Sequence, residues 1–403
     1  MSLDARFDAE RDFSPLAAAH ADRDSVLDLA TRLVRIPSRG GIDSYEPVIS
    51  ALETWLDDRH LPHRRLAGDD GTPVAVVCEV RGARPGPRIV LDACVDTAPF
   101  GDEQAWSFPP ASGLVADGWL CGRGAADSKT GAAIFLHIAA RLARNPGALA
   151  GDLVVLLDAD EHTGNFGGAK AFMGAQGPGR IDGVMIGYPG HEHVVIGGRG
   201  VLRACLTVHG VSSHSGGRAA TPNAVSKAAA LIAVLDRPLP AAPVPGFDPA
   251  PKLSVTEIHA GQGYTVTPDL ASVHIDVRLT PAFTEPDALA LIAARIAEVD
   301  AAWPETAPTG VETVMSWPPY RLAEHHPLPT ALLKAAHDQG FHTASKVAGP
   351  SNIGNFLAGA GVAATAGFGV AYEGLHARNE RIRIETIAPV QAVYHQAVLT
   401  LLS

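Results

Sequence analysis

Residues 88–95, RIVLDACV, form a short apolar run rich in valine and leucine that follows Pro87. Together with the similar run PVAVVCEV at 73–80, they read as buried strands. A long helical pattern follows from Ser128 to Arg144. After it come LVVLL at 153–157, a short helix near Gly168–Met173 and a further strand at Gly183–Ile186. This alternation predicts an α/β layered domain with a largely parallel sheet. Upstream, DRDSVLDLATRLVRI places Val26, Leu27, Ala30, Leu33 and Val34 on one helical stripe, and a second helix is expected over Tyr45–Arg59.

The pattern changes at Gly197-Gly198-Arg199-Gly200. From there VLRACLTVHGVSSHS alternates as a strand, with a helix at Asn223–Leu235 and a Pro-rich loop, PLPAAPVPGFDPAP, behind it. The strands LSVTEIHA and ASVHIDVRL, a helix at Glu285–Val299 and the strand VETVMSW complete a β-α-β-β-α-β unit. The α/β pattern resumes after Trp317-Pro318-Pro319 with helices at Pro327–Gln339, Ser351–Ala360 and Glu385–Leu402. The expected organisation is a discontinuous first domain, 1–198 and 318–403, interrupted by a second at 199–317.

With 32 basic and 43 acidic residues among 403, the net charge of −11 and the lack of a basic run argue against nucleic acid as a partner. The N-terminal MSLDARFDAERDF is charged throughout, and no segment reaches the roughly 20 apolar residues of a membrane span, so a cytoplasmic protein is expected. Cys78, Cys94, Cys121 and Cys205 form no CxxC pair and read as buried thiols.

In open α/β sheets, reacting groups collect beyond the carboxyl ends of the strands. Four segments fit: Cys94–Pro99, Gly122–Lys129, Asp160–Gly164 and Leu375–Glu380. Taken singly, Asp127 is an acceptable helix N-cap, and Glu161 and His376 are ordinary surface groups. Jointly, Asp127, His162 and His376, on three loops at one sheet edge, make a site for one divalent transition metal per subunit, such as Zn, Mn, Co or Fe. Glu161, beside a ligand, is then placed as the general base that takes a proton from water.

In their order, xDxxP, GRGxxDxK, DExxG, a GxRG start to an inserted domain with SSHSGG and PNA, and HxxNE resemble the M20 family of metallopeptidases and amidohydrolases over about Asp22 to Leu402. The resemblance implies a zinc-peptidase-like mixed sheet flanked by helices, with an inserted ferredoxin-like α+β lid that dimerises or builds a larger homo-oligomer. It implies Asp127 as a metal-bridging carboxylate, Glu161 as the base and His376 as the C-terminal ligand. It also implies His214 as a lid donor to the reacting oxygen, and Arg278 and Asn223 as substrate-binding residues.

Three positions depart from the family pattern. Cys94 stands where the first-metal histidine is usual, His162 where a second acid follows the base, and Tyr188 where an acid precedes proline. Asp96 would orient the missing histidine and is left without that imidazole. Thr265 stands where asparagine is common. With Asp127 as the one carboxylate ligand, two dications would be under-neutralised. A single metal on Asp127, His162 and His376 is expected, with Cys94, Asp96 and Tyr188 lining the vacated first site or touching substrate.

The expected activity is metal-dependent hydrolysis of a C–N bond in a small carboxylate-bearing substrate. The altered site is similar to that expected of the family's nitroanthranilate aminohydrolases, which replace an aromatic amine with hydroxide. This resemblance implies, as the specific expectation, an aminohydrolase releasing ammonia from an aromatic amino acid such as 5-nitroanthranilate. The alternatives are an N-acyl amino acid deacylase or dipeptidase, and a ligand-binding member without turnover.

Overall fold

A computed structural model describes residues 14–176, 181–218, 220–240 and 242–403, so the charged stretch 1–13 lies outside the described residues. The chain divides into two compact units. One comprises residues up to Ile196 with Leu322–Lys346 and Ala360–Ser403; the other comprises Gly197–Arg321 and Val347–Gly359.

In the first unit, a sheet runs in the order His63–Ala67, Pro73–Arg81, Ala150–Asp158, Arg84–Cys94, Gly183–Gly187, Ala364–Phe368 and the first four residues of His193–Gly198. The four central strands, from Ala150–Asp158 to Ala364–Phe368, are mutually parallel. Their near-continuous apolar runs suit burial on both faces. Antiparallel pairings flank them on both sides, so the sheet is mixed. The helices Pro15–Val34, Thr130–Ala143 and Ile387–Leu401 contribute Leu33, Phe135 and Val393 to the same core as Leu91 and Val155 of the strands.

Two helix starts differ from the sequence reading. The first helix begins at Pro15 rather than Asp22 because Ser14 Oγ accepts the Ala17 N–H at 3.1 Å and proline fits the first turn. The long helix begins at Thr130 because Asp127 and Ser128 have non-helical backbone angles, so Asp127 is not its N-cap. A small antiparallel sheet, ordered Tyr372–Glu373, Arg381–Arg383, Trp119–Cys121 and Leu114–Ala116, brings two distant loops together.

The second unit is a four-stranded antiparallel sheet ordered Lys252–Ala260, Leu270–Leu279, Gly200–His209 and Gly310–Trp317. The helices Ala224–Leu235 and Glu285–Asp300 cover one face through Leu231, Ile292, Leu206 and Val273. Segment 347–359 belongs to this unit, not to the first as the sequence boundaries had it. The physical reason is Asn355, a buried amide whose Nδ2 donates to the Arg199 and Pro318 carbonyls at 3.1 and 2.8 Å. Arg199 Nε likewise donates to the Gly349 carbonyl at 2.8 Å.

Candidate active site

Three of the four parallel strands end at residues that lead straight into a cluster: Cys94 and Asp96 follow one, Glu161 and His162 another, Tyr188 a third. Asp127 comes from the turn after Trp119–Cys121, and His376 from the loop between Tyr372–Glu373 and Arg381–Arg383. The Asp127–Ser128 peptide is cis. Gly124, at a φ of 84°, enters this turn; a Cβ there would lie 2.6 Å from Thr97 Cγ2. His376 and Asp160 are non-glycine residues held at φ of 55° and 69°, in the left-handed region that costs most side chains energy.

His376 Nε2 lies 2.8 Å from Asp127 Oδ2, and His162 Nε2 lies 3.4 Å from the same oxygen. Both ring nitrogens of His162 are buried, and neither makes a hydrogen bond. Two imidazoles converging on one buried carboxylate, one of them with orphaned nitrogens, fit a transition dication. Asp127, His162 and His376 would hold it.

Asp96 corrects the sequence reading, which left it without an imidazole. The Asp160–Gly164 turn folds back so that Asp96 accepts the N–H groups of Glu161 and His162 at 3.2 and 3.0 Å, and its Oδ2 sits 3.4 Å from His162 Nδ1. It therefore supports His162 from behind, as carboxylates commonly support a ligating histidine.

Cys94 Sγ lies 3.6 Å from Asp127 Oδ1. Burial, reinforced by Asp127 and Glu161, pushes its thiol well above the usual range, so it is a neutral donor. Tyr188 is raised the same way, by burial and then by Asp127, Glu161 and Cys94. Glu161 is pushed up to about 7 by burial and by the neighbouring Asp127. Burial alone would lower His162, but Asp127 and Asp96 outweigh it and carry the imidazole up to about 11. In Asp127, His162 and His376 outweigh burial and hold the carboxyl below its usual range.

Two supports were not assigned from the sequence. The fully buried Glu380 accepts the N–H groups of Gly124, Ala126 and Asp127 through Oε1 at 3.0, 2.9 and 3.3 Å, while Arg123 Nη1 meets Oε2 at 2.6 Å. It fixes the turn that presents Asp127. Lys129, also buried, donates Nζ to the Leu33 and Ile36 carbonyls at 2.9 and 2.7 Å, and burial lowers it to about 8. Their positions in HxxNE and GRGxxDxK were visible, but not which distant backbone groups they would meet.

The remaining sequence-assigned residues lie in the second unit. His214 Nδ1 accepts the Gly216 N–H at 3.0 Å, which leaves Nε2 as the protonated, donating nitrogen of the neutral ring. Asn223 Oδ1 accepts the Val225 N–H at 2.8 Å and caps a helix. Arg278 places Nε and Nη2 on the two oxygens of Asp276 at 2.7 and 3.1 Å. All four cysteines are free; three are buried and Cys205 is half-buried.

Residues 91–400 match the model of peptidase family M20/M25/M40. The chain belongs to that family. Its structure resembles an M20 metallo-carboxypeptidase from Sulfolobus solfataricus at 17% identity and a TM-score of 0.76, with 93% of this chain and 98% of that one covered. A dinuclear-metal-binding M20 peptidase from Bacillus subtilis matches at 15% identity, TM-score 0.70 and coverage of 95% and 99%. An aminobenzoyl-glutamate utilization protein from Klebsiella pneumoniae matches at 18%, 0.55, and 98% and 95%. At these identities the likeness is one of fold. The M20 chain is a metal-dependent hydrolase.

Proposed function

We propose that this M20 chain hydrolyses a C–N bond in a small carboxylate-bearing substrate, at a single-metal site held by Asp127, His162 and His376. The observation that carries this is the array Asp96–His162–Asp127–His376, in which one imidazole has a supporting carboxylate behind it and a ligand carboxylate before it. A bound dication would polarise the attacked bond and acidify the attacking water.

Glu161, poised near neutrality, takes the proton from that water and returns it to the departing nitrogen. The resemblance to the family gives His214, whose Nδ1 accepts the Gly216 N–H and so leaves Nε2 to donate, the role of donor to the oxygen that gains charge. Arg203 Nε and the Arg278 fork share the single carboxylate of Asp276, with closest contacts of 3.1 and 2.7 Å, leaving net positive charge for a substrate carboxylate. In the metal-free protein burial and the nearby carboxylates hold Cys94 and Tyr188 neutral, so a second ion there would have to expel a proton before it gained a charged ligand.

Within this class the specific reading is release of ammonia from an electron-poor aromatic amino acid such as 5-nitroanthranilate, rather than acyl transfer to water. The test is a screen of the metal-loaded enzyme against amino-substituted aromatic acids, N-acyl amino acids and dipeptides. Action on acyl substrates alone overturns the aromatic reading; action on none, with ligand binding intact in Glu161→Gln, overturns the enzyme.

A further inference from the structure

The open face of the second unit's sheet carries a group of ligand-type side chains that hydrolysis does not use. Its helices cover Leu202, Ala204, Leu206, Val208, Val273 and Ile275, so the alternate residues of the same strands turn to the other side. There Glu257 stands opposite His274, His274 opposite Cys205, and Cys205 opposite Glu312, one rank across all four strands.

A register shift between Val255 and Glu257 creates this alignment. It inserts Thr256 as the extra residue and re-aims Glu257 at His274. His259, two residues further on, returns to the same side. The result is one carboxylate held by two imidazoles from adjacent strands. His259 Nε2 contacts Glu257 Oε1, and His274 Nδ1 lies 2.9 Å from Oε2. The two rings are 6.3 Å apart at their centroids. His259 keeps the Glu257 carboxyl below its usual range, so it is ionised at neutral pH.

We propose that Glu257, His259 and His274 form a binding site for a divalent transition cation, with zinc as the reference ion. Two imidazoles and one carboxylate are a donor set for zinc, copper, nickel or cobalt, and not for magnesium or calcium. Ligand atoms around tetrahedral zinc lie roughly 3.3 Å apart, given Zn–N distances of ~2.0 Å. The present 2.9 Å contact opens to that spacing by a few tenths of an ångström. The two imidazoles stand too far apart to share an ion without moving, with centroids 6.3 Å apart, but all three side chains are substantially exposed and free to rotate until they converge. An ion here would tie the sheet-edge strand Lys252–Ala260 to its neighbour Leu270–Leu279, and would stabilise this unit by linkage.

The test is a zinc titration of the full chain against a chromophoric chelator, with a parallel thermal melt. The variants are His259→Ala/His274→Ala, Glu257→Gln, and Asp127→Asn/His376→Ala. The expected result is loss of one zinc equivalent per chain in the His259/His274 variant, with its circular dichroism and hydrolytic activity unchanged. Part of the zinc-induced rise in Tm disappears with it, and Glu257→Gln binds this equivalent more weakly. The Asp127/His376 variant keeps it. Unchanged stoichiometry and affinity in the His259/His274 variant overturn the site, whatever the substrate screen returns.

Discussion

Cys94, at the position where the family pattern implies a first-metal histidine, directs its thiol at Asp127, Sγ to Oδ1 at 3.6 Å. Because the thiol is neutral, this contact adds no ligand charge. Cys94→His would put an imidazole beside Asp96 and Asp127. Metal content by mass spectrometry is expected to rise from one ion per chain toward two, while Cys94→Ser stays at one. Tyr188 still lacks a carboxylate, so the second ion should be removed first by a mild chelator.

Glu161→Gln removes the base but no ligand. A ~100- to 10,000-fold fall in kcat is expected, with metal content unchanged. In the unmodified enzyme Glu161 must be ionised to act, and in the metal-free protein it sits at about 7, so in the active, metal-loaded enzyme the rate should rise with pH along a limb below 7. A bound cation moves that limb lower, and the variant should lose it.

His162 is held near 11 by Asp127 and Asp96, and a ligand must be neutral. Metal uptake therefore expels a proton, and affinity should increase with pH between 6 and 8. Titration calorimetry in buffers of different ionisation enthalpy measures the protons released; none released would refute the ligand role of His162.

Glu380→Gln keeps the shape of the side chain but withdraws a full negative charge from Arg123 and from three backbone N–H groups. The Asp127 turn should loosen, lowering metal affinity by ~10- to 100-fold. Melting of the metal-free variant separates this from global unfolding.

Asp92 and Asp158 are fully buried, and their carboxyl groups have no donor other than each other, one holding a proton for the other. Burial raises Asp92 to about 7 and Asp158 well above its ordinary value. Folded-state values above the unfolded ones mean that the unfolded chain sheds these protons first. Stability therefore declines as pH rises from ~4 toward 7. Asp158→Asn should flatten that decline and raise the unfolding free energy by ~1–3 kcal/mol at pH 8, with much less gain at pH 4. Urea denaturation at both pH values checks it.

Much of this was readable from the chain. Valine-rich runs such as 153–157 report burial on both faces through local composition alone, and the spacing of Asp127, Glu161, His162 and His376 relative to strand ends exposed the site. The strands Ala364–Phe368 and His193–Gly198 escaped because their glycines and small residues carry no alternation. Segment 347–359 falls in the other unit because its buried Asn355 bonds the Arg199 and Pro318 carbonyls, a contact that helical periodicity does not report. The new partner of Asp96 depended on how a turn folds back, which spacing does not encode.

The proposed metal ligands Asp127 and His376 are 249 residues apart in the chain yet share one contact. On that assignment a ribosome must have passed residue 376 before an ion could meet all three ligands. Completing the proposed metal site would then be a late step in biosynthesis, and a chain interrupted before His376 would carry Asp127, His162 and the base but lack the third ligand.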